Sequence, residues 1–155
     1  MPTIGTKIHE SETLIAESGL TGERERMQLA TWFFSAVAKV FPVFPEYFDA
    51  ATGLSAFCNG LTTLATQITL RRAANEGIPQ EHAIGIASQC IRGVASLMLS
   101  ATSPQELEGQ LSAPGSITGQ AISRMRKRQL SDTLGPALSM AITRARDYES
   151  RPTFP

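Results

Sequence analysis

Residues 80–100, QEHAIGIASQCIRGVASLMLS, decide the fold of this chain. They follow the helix-breaking triplet Gly77-Ile78-Pro79 and are predicted to form one helix that is apolar around its circumference. A helix of that kind must be covered on all sides, and a domain of 155 residues has little chain to cover it. The sequence therefore predicts a second subunit against this helix. Its apolar residues are Ala83, Ile84, Ile86, Ala87, Ile91, Val94, Ala95, Leu97, Met98 and Leu99.

The rest of the chain after Pro45 also has helical spacing, so the fold class is predicted to be mainly α. Ser103-Pro104-Gln105-Glu106 has the pattern of a capping box with proline at the first helical position. We expect Gly135-Pro136 to kink or restart the last helix. The other predicted helices cover Glu46–Leu54, Ser55–Asn75, Ser103–Gln110, Ile117–Lys127 and Leu130–Glu149.

The first 45 residues have a different pattern. The alternation over Glu12–Ala16 predicts a strand, and the spacing over Glu23–Val40 predicts a helix that Thr21 or Gly22 caps. The prolines of Val40–Pro45 limit that stretch to an edge strand or an extended segment. The predicted organisation is a strand–helix–strand region over 1–45, a helical domain over 46–150 and a disordered tail over 151–155.

Composition excludes several classes of function. The 14 basic and 14 acidic residues cancel, which disfavours nucleic acid as a partner, and no apolar run is long enough to cross a membrane. The dense basic run Arg124–Arg128 is interpreted as a solvated helix end. Cys58 and Cys90 are interpreted as small buried apolar residues in a reducing compartment, so a cytoplasmic protein is expected.

Common catalytic and cofactor motifs are missing from the sequence. His9 and His82 lack metal-ligand spacing, and no Gly-rich phosphate loop, nucleophile elbow or dinucleotide fingerprint occurs. We therefore expect no metal and no cofactor site. The threonines at 62, 63, 66 and 69 either line a polar site or bond back to helix carbonyls.

The turn LSAPGSITG, residues 111–119, is the strongest candidate for a binding site. Pro114 fixes φ, Gly115 tolerates a positive φ, and the Ser116 hydroxyl can cap the helix that follows. The free N–H groups and positive dipole at that helix start suit a small carboxylate. The alternative is an ordinary turn between helices with a serine cap.

Several segments, in order, resemble the C-terminal part of the pyrroline-5-carboxylate reductase family. Asp49–Ser55 is similar to the start of the family's DAVTGLSGSGPAY segment, and Gly77-Ile78-Pro79 to its GLP triplet. Met1-Pro2 resembles the family's MPN segment. The other matching stretches are Gln89–Ala95, Ser103–Leu107 and Ser112–Thr118, the last resembling the (S/T)-S-P-G-G-x-T turn.

The resemblance implies an interlocked helical dimerisation domain of the 6-phosphogluconate dehydrogenase C-terminal-like type. Residues 1–45 would be the remnant of the last strand–helix unit of a nucleotide-binding domain. The partner would be a second copy, in a homodimer or a higher oligomer, and the ligand a small carboxylate or imine. Pro114, Gly115, Ser116 and Ile117 would cradle the ligand carboxylate, and the Thr118 hydroxyl would meet the ring nitrogen.

This sequence also departs from the family pattern. Thr3, Ala113 and Ser116 stand where the family has asparagine, serine and glycine, and the SGSGPAY segment reads Ser55–Leu61. Thr118, Asn59 and Ser116 are the predicted catalytic residues. The predicted substrate-binding residues are Pro114, Gly115, Ile117, Ser55 and Phe57.

Three functions remain open. The first is a non-redox cyclase or isomerase acting on an imine, an enamine or an amino-acid-derived substrate of specialised metabolism, since hydride transfer needs a nicotinamide that these residues do not hold. The second is a reductase completed by a separate NAD(P)H-binding chain. The third is a non-catalytic scaffold partner of a full-length reductase.

Overall fold

The computed structural model describes residues 2–17 and 23–149, without the side chains of residues 23 and 149. The predicted cap at Thr21 or Gly22 and the tail 151–155 lie outside the described residues. The elements are a 3₁₀ turn (Ile4–Ile8), β1 (Ser11–Ala16), α1 (Glu23–Ser35), β2 (Ala38–Val43), a second 3₁₀ turn (Pro45–Tyr47), α2 (Phe48–Asn75), α3 (Gln80–Leu99), α4 (Pro104–Leu111), α5 (Ile117–Lys127) and α6 (Leu130–Glu149). The predicted fold class, mainly helical with a short strand–helix–strand region, is confirmed.

The described chain forms two compact units. The first takes in the chain up to Asn59 and again from Gly135, and the second is Gly60–Leu134. In the first unit, β1 pairs in parallel with β2, and Ser11 lies opposite Ala38. Leu14 and Ala38 are buried here, and Pro42 is accommodated because a two-stranded sheet leaves each strand an open edge.

Helix α1 is shorter than its periodicity predicts. It ends at Ser35, and the Val37 amide bonds to the Phe34 carbonyl at 3.0 Å, which turns the chain toward β2. Residues 38–40, predicted as helix, instead pair with β1. Ladder hydrogen bonds to a neighbouring strand outweigh the local helical pattern.

Helix α2 runs unbroken from Phe48 to Asn75, so the predicted division between Leu54 and Ser55 is wrong. Gly53, next to the predicted division, is buried inside the helix. A Cβ atom built on Gly53 would lie 2.7 Å from the Cα of Ile142 in α6. Glycine is therefore required there for the close passage of two backbones and not for a turn.

Helix α6 is also continuous, and Pro136 lies inside it, so the predicted restart at Gly135-Pro136 is wrong. In the second unit the capping box of α4 is present as predicted. The Ser103 Oγ accepts from the Glu106 amide at 3.2 Å, and the Glu106 carboxylate accepts from the Ser103 amide at 2.8 Å.

Helix α3 buries Ala83 but leaves most of its large apolar side chains exposed. Ile86 is 60% exposed and Leu99 is 69% exposed, although the sequence predicts that both are covered by a second subunit. Cys90 on α3 and Cys58 on α2 are exposed free thiols, so their predicted burial is wrong for the single chain. In the described ranges, no helix combines the length and apolar character needed to span a membrane.

Candidate functional site

The turn between α4 and α5 has the predicted geometry. The Ser116 amide bonds to the Ala113 carbonyl at 2.9 Å, and Gly115 adopts a φ of 78°. The Ser116 hydroxyl then accepts from the Gly119 amide at 2.9 Å and donates to the Leu111 carbonyl at 3.0 Å. The predicted serine cap is confirmed, and it fastens the start of α5 to the end of α4.

The cap leaves the first amides of α5 open. The first N–H groups of a helix have no acceptor within the helix. The Ser116 hydroxyl accepts from the Gly119 amide and the Ser116 carbonyl accepts from the Gln120 amide at 3.1 Å, which leaves the amides of Ile117 and Thr118. Ile117 is 90% exposed, and Thr118 is exposed beside it. This arrangement can receive a small anion, because amide donors and a helix dipole of the right sign meet there.

A recess of about 480 Å³ lies on one side of this turn. Ser116, Ile117 and Thr118 are not among its lining residues, which come from the turn and from one face of α5. The Ser112 hydroxyl is buried without a hydrogen-bond partner in the described chain. The lining residues are Ser112, Ala113, Pro114, Gly115, Gly119, Gln120, Ser123, Arg124 and Lys127.

The basic run at the end of α5 is exposed throughout, and Arg124, Arg126 and Lys127 lie in the last turn of the helix. Arg126 forms an ion pair with Glu108 of α4, with an Nη2–Oε1 distance of 2.5 Å, and 71% of its side chain stays exposed. Arg124 and Lys127 line the recess. The interpretation of residues 124–128 as a solvated helix end is confirmed.

A second polar cluster lies in the other unit, around the Glu12 carboxylate. Ser55 donates to Oε1 at 2.6 Å, and Asn59 donates to the same oxygen at 3.2 Å. The Thr3 hydroxyl donates to Oε2 at 2.9 Å. Two of the predicted site residues, Ser55 and Asn59, are thus brought together on an acid that sequence reasoning missed.

A signal for this cluster was present in the sequence. Ser55 and Asn59 are four residues apart, so they share one face of a helix. Glu12 is the first residue of the predicted strand, and it lies between Ser11 and Thr13, which are both buried in the structure. The sequence does not show that the Glu12 side of the strand meets the Ser55 and Asn59 side of the helix.

Burial raises the pKa of Glu12, but hydrogen bonds outweigh that effect. The donors are Ser55, the backbone amide of Glu12 itself, Thr3 and Asn59, and together they hold the pKa below the usual glutamate value. Glu12 is therefore a fixed negative charge at neutral pH. No lysine, arginine or histidine within the described residues forms an ion pair with it.

The remaining candidates are placed as follows. Phe57 is half-buried on α2. Thr66 and Thr69 donate to the carbonyls of Thr62 and Ala65, at 2.7 and 2.8 Å, which favours back-bonding over a polar site. His9 contacts the Ala36 carbonyl at 3.2 Å, and His82 lies 3.9 Å from Glu81. Among residues 2–17 and 23–149, no group of three or more His, Cys, Asp or Glu side chains could hold a metal ion.

The known proteins that this chain resembles are pyrroline-5-carboxylate reductases. A family model for pyrroline-5-carboxylate reductase dimerisation matches residues 45–148. The chain is 27% identical to the pyrroline-5-carboxylate reductase of Pisum sativum over 148 residues, covering 95% of this chain and 54% of that protein. It is 25% identical to the delta-1-pyrroline-5-carboxylate reductase kk1I of Curvularia clavata, covering 97% and 49%.

Solved structures show the same fold. The pyrroline carboxylate reductase of Plasmodium falciparum, crystallised with NADP bound, superposes with a TM-score of 0.82 at 17% identity, covering 95% of this chain and 58% of that one. The enzyme of Streptococcus pyogenes gives a TM-score of 0.83 at 22% identity, covering 95% and 57%. The chain spans about half the length of the curated relatives it matches.

Proposed function

The chain belongs to the pyrroline-5-carboxylate reductase family through its dimerisation domain, and from that premise we propose that it pairs with a second copy of itself through α3. The observation that supports pairing is the exposed apolar surface of that helix. Ile86 and Leu97, on one side of α3, are 60% and 48% exposed, and Ile84, on the other side, is 42% exposed. Because each is already about half buried, covering the rest contributes about 1 kcal/mol per side chain. A second copy offers the same face, which is the isologous contact of a twofold dimer.

One substitution on α3 tests the pairing. Ile86→Asp puts a charge where the proposed interface is apolar, so the mass in sedimentation equilibrium falls from dimer or larger to monomer. Gln89→Asp is the matched control, because it adds the same charge at a neighbouring position of α3 that is already polar and exposed. A wild-type chain that is a well-folded monomer at tens of micromolar contradicts the proposal.

The proposed ligand site of the domain is the Ser112–Thr118 turn. The open amides of Ile117 and Thr118 would receive a carboxylate, with Pro114, Gly115 and Ser116 shaping the cradle, and the exposed Thr118 hydroxyl would bond a ring nitrogen. The relatives' names include a cyclic imino acid, pyrroline-5-carboxylate, which has both groups.

Two probes separate the carboxylate contact from the nitrogen contact. Calorimetry with the full chain uses L-proline and cyclopentanecarboxylate, which has the same carboxylate and no ring nitrogen. Thr118→Ala weakens proline binding by about fivefold and leaves cyclopentanecarboxylate unchanged. Thr133→Ala, at another exposed threonine near a helix start, changes neither. Absence of binding of both probes to the wild-type chain contradicts the carboxylate site.

We propose that the chain catalyses a non-redox reaction of an imine or an enamine, as a cyclase or an isomerase does. The supporting observation is Glu12, which supplies the ionised group that the catalytic motifs lacked. Because its pKa is lowered, it is a weak proton acceptor at neutral pH and better suited to stabilising positive charge on an imine nitrogen bound at its own cluster with Ser55 and Asn59, which is a different site from the Ser112–Thr118 turn.

Solvent exchange tests the catalytic proposal without any nicotinamide. The wild-type chain accelerates replacement of the hydrogens next to the C=N bond of 1-pyrroline by deuterium, as NMR detects. Glu12 stabilises the protonated C=N nitrogen, solvent water removes the neighbouring C–H proton to give the enamine, and solvent returns a deuteron to the carbon. Glu12→Gln abolishes the acceleration. If activity instead appears only when an NAD(P)H-binding chain is added, the chain is half of a reductase. If it only co-purifies with an intact reductase and catalyses nothing, it is a scaffold.

A further inference from the structure

The recess beside the turn has two basic side chains in its wall. Arg124 and Lys127 line it together with Gly119, Gln120 and Ser123. These positions fall within one side of α5 at 100° per residue, and helical side chains lean toward the helix start, which here is the turn. The recess of about 480 Å³ is of the size that small-molecule sites have.

The two cations that line the recess have no acidic partner among the described residues, whereas Arg126 beside them pairs with Glu108. Arg124, Arg126 and Lys127 all lie in the last turn of α5, where the helix dipole favours basic residues. What sets Arg124 and Lys127 apart from Arg126 is that they line the recess and have no ion-pair partner in the described part of the chain. The unpartnered Ser112 hydroxyl in the same wall is a further polar group without an acceptor or donor.

We propose that the ligand of this site is a dianion, whose second anionic group, a carboxylate or a phosphate, is bound in the recess by Arg124 and Lys127. This inference rests on the proposed carboxylate site at the turn, which binds the first anionic group. Guanidinium binds carboxylate and phosphate oxygens through two parallel hydrogen bonds, and the lysine adds a point charge. The proposed ligand is therefore a dicarboxylic or a phosphorylated acid, with one anionic group at the turn and the other in the recess.

A matched pair of four-carbon acids tests the inference by calorimetry on the full chain. Butyrate carries one carboxylate and succinate carries two, so succinate binds the wild-type chain about tenfold more tightly. Arg124→Gln and Lys127→Gln each reduce that ratio by half or more. Arg128→Gln removes the same charge from the same helix end outside the recess and leaves the ratio unchanged.

The possible outcomes distinguish a failure of the dianion inference from a failure of the proposed carboxylate site. Binding of butyrate with no preference for succinate overturns the dianion inference alone. An equal loss in Arg128→Gln also overturns it, because the preference would then come from diffuse charge. If neither acid binds, the carboxylate site itself fails. Replacing succinate by 3-phosphonopropionate distinguishes a carboxylate preference from a phosphate preference, and circular dichroism melts confirm that every variant is folded.

Discussion

The Glu12 carboxylate joins three segments of the first unit: the loop that contains Thr3, strand β1, and helix α2 through Ser55 and Asn59. Hydrogen bonds to an ionised group contribute more than those between neutral groups, and partial exposure reduces the gain. We therefore expect Glu12→Gln to lower the free energy of unfolding by about 1–2 kcal/mol at neutral pH.

The same substitution predicts a pH dependence whose sign follows from the lowered pKa. A carboxyl whose pKa is lower in the folded state than in the unfolded state stabilises the fold at pH values above its unfolded-state pKa. This stabilisation is lost as the pH falls through the folded-state pKa. The difference in stability between wild type and Glu12→Gln is therefore full at pH 7 and shrinks as the pH falls below the ordinary glutamate range. Urea unfolding at a series of pH values measures it.

Glu10→Gln is the control for that series, because it removes one carboxylate from an exposed position of the same segment. A wild-type-to-Glu12→Gln difference that stays constant from neutral to acidic pH contradicts the assigned role of the charge.

At the residue scale, local chemistry was predictable and distant partners were not. The Ser116 cap and the capping box of Ser103 depend on residues three positions apart, so the sequence contains the whole interaction. Glu12 lies 43 residues from Ser55, and only the folded chain brings them together. Thr118 and the rest of the proposed cradle remain predictions.

At the scale of elements, α2 and α6 show what a single glycine does in a helix. At Gly53 the backbone of α6 passes so closely that an added Cβ would lie 2.7 Å from the Ile142 Cα. Gly60, in the same helix, has open space around its Cβ position. The same substitution should therefore have opposite effects at the two positions.

Gly53→Ala is expected to destabilise the chain by about 1–3 kcal/mol, because overpacking outweighs the gain in helix propensity. Gly60→Ala is expected to stabilise it by up to about 1 kcal/mol through propensity alone. Urea unfolding of both variants checks the pair. A Gly53→Ala variant as stable as Gly60→Ala would mean that the two helices do not approach closely at this position.

Element boundaries were predictable where local signals decide them. Helix α5 begins at Ile117 after its serine cap, and α3 begins after Pro79, as the sequence indicates. The boundary of α1 and the continuity of α2 were not predictable, because strand pairing decides the first and the packing around Gly53 supports the second. A pattern read along one element does not show which backbone will lie beside it.

At the scale of the whole molecule, the chain buries few apolar side chains. Among the described residues these are Leu14, Ala38, Ala83 and Leu107, while Ile86 and Leu99 on α3 stay exposed. Such a core contributes little against the entropy cost of ordering the chain. The proposed dimer would bury the apolar side chains that the single chain leaves exposed. The stability of the fold should therefore depend on association, and thus on protein concentration.

A protein whose folded state is a dimer and whose unfolded state is a monomer melts at a temperature that rises with concentration. A hundredfold increase in concentration adds about 2.7 kcal/mol of stability, and with the unfolding entropy of two chains this raises the melting temperature by about 4 °C. Differential scanning calorimetry at about 1 and 100 µM should show that shift for the wild-type chain and for Gln89→Asp. Ile86→Asp should melt lower and at a temperature that does not depend on concentration, since it no longer exchanges exposed apolar surface for a partner. A wild-type melting temperature that is constant over that range, with a single cooperative transition, would show that the chain is stable alone and that the exposed face of α3 is not a dimer interface.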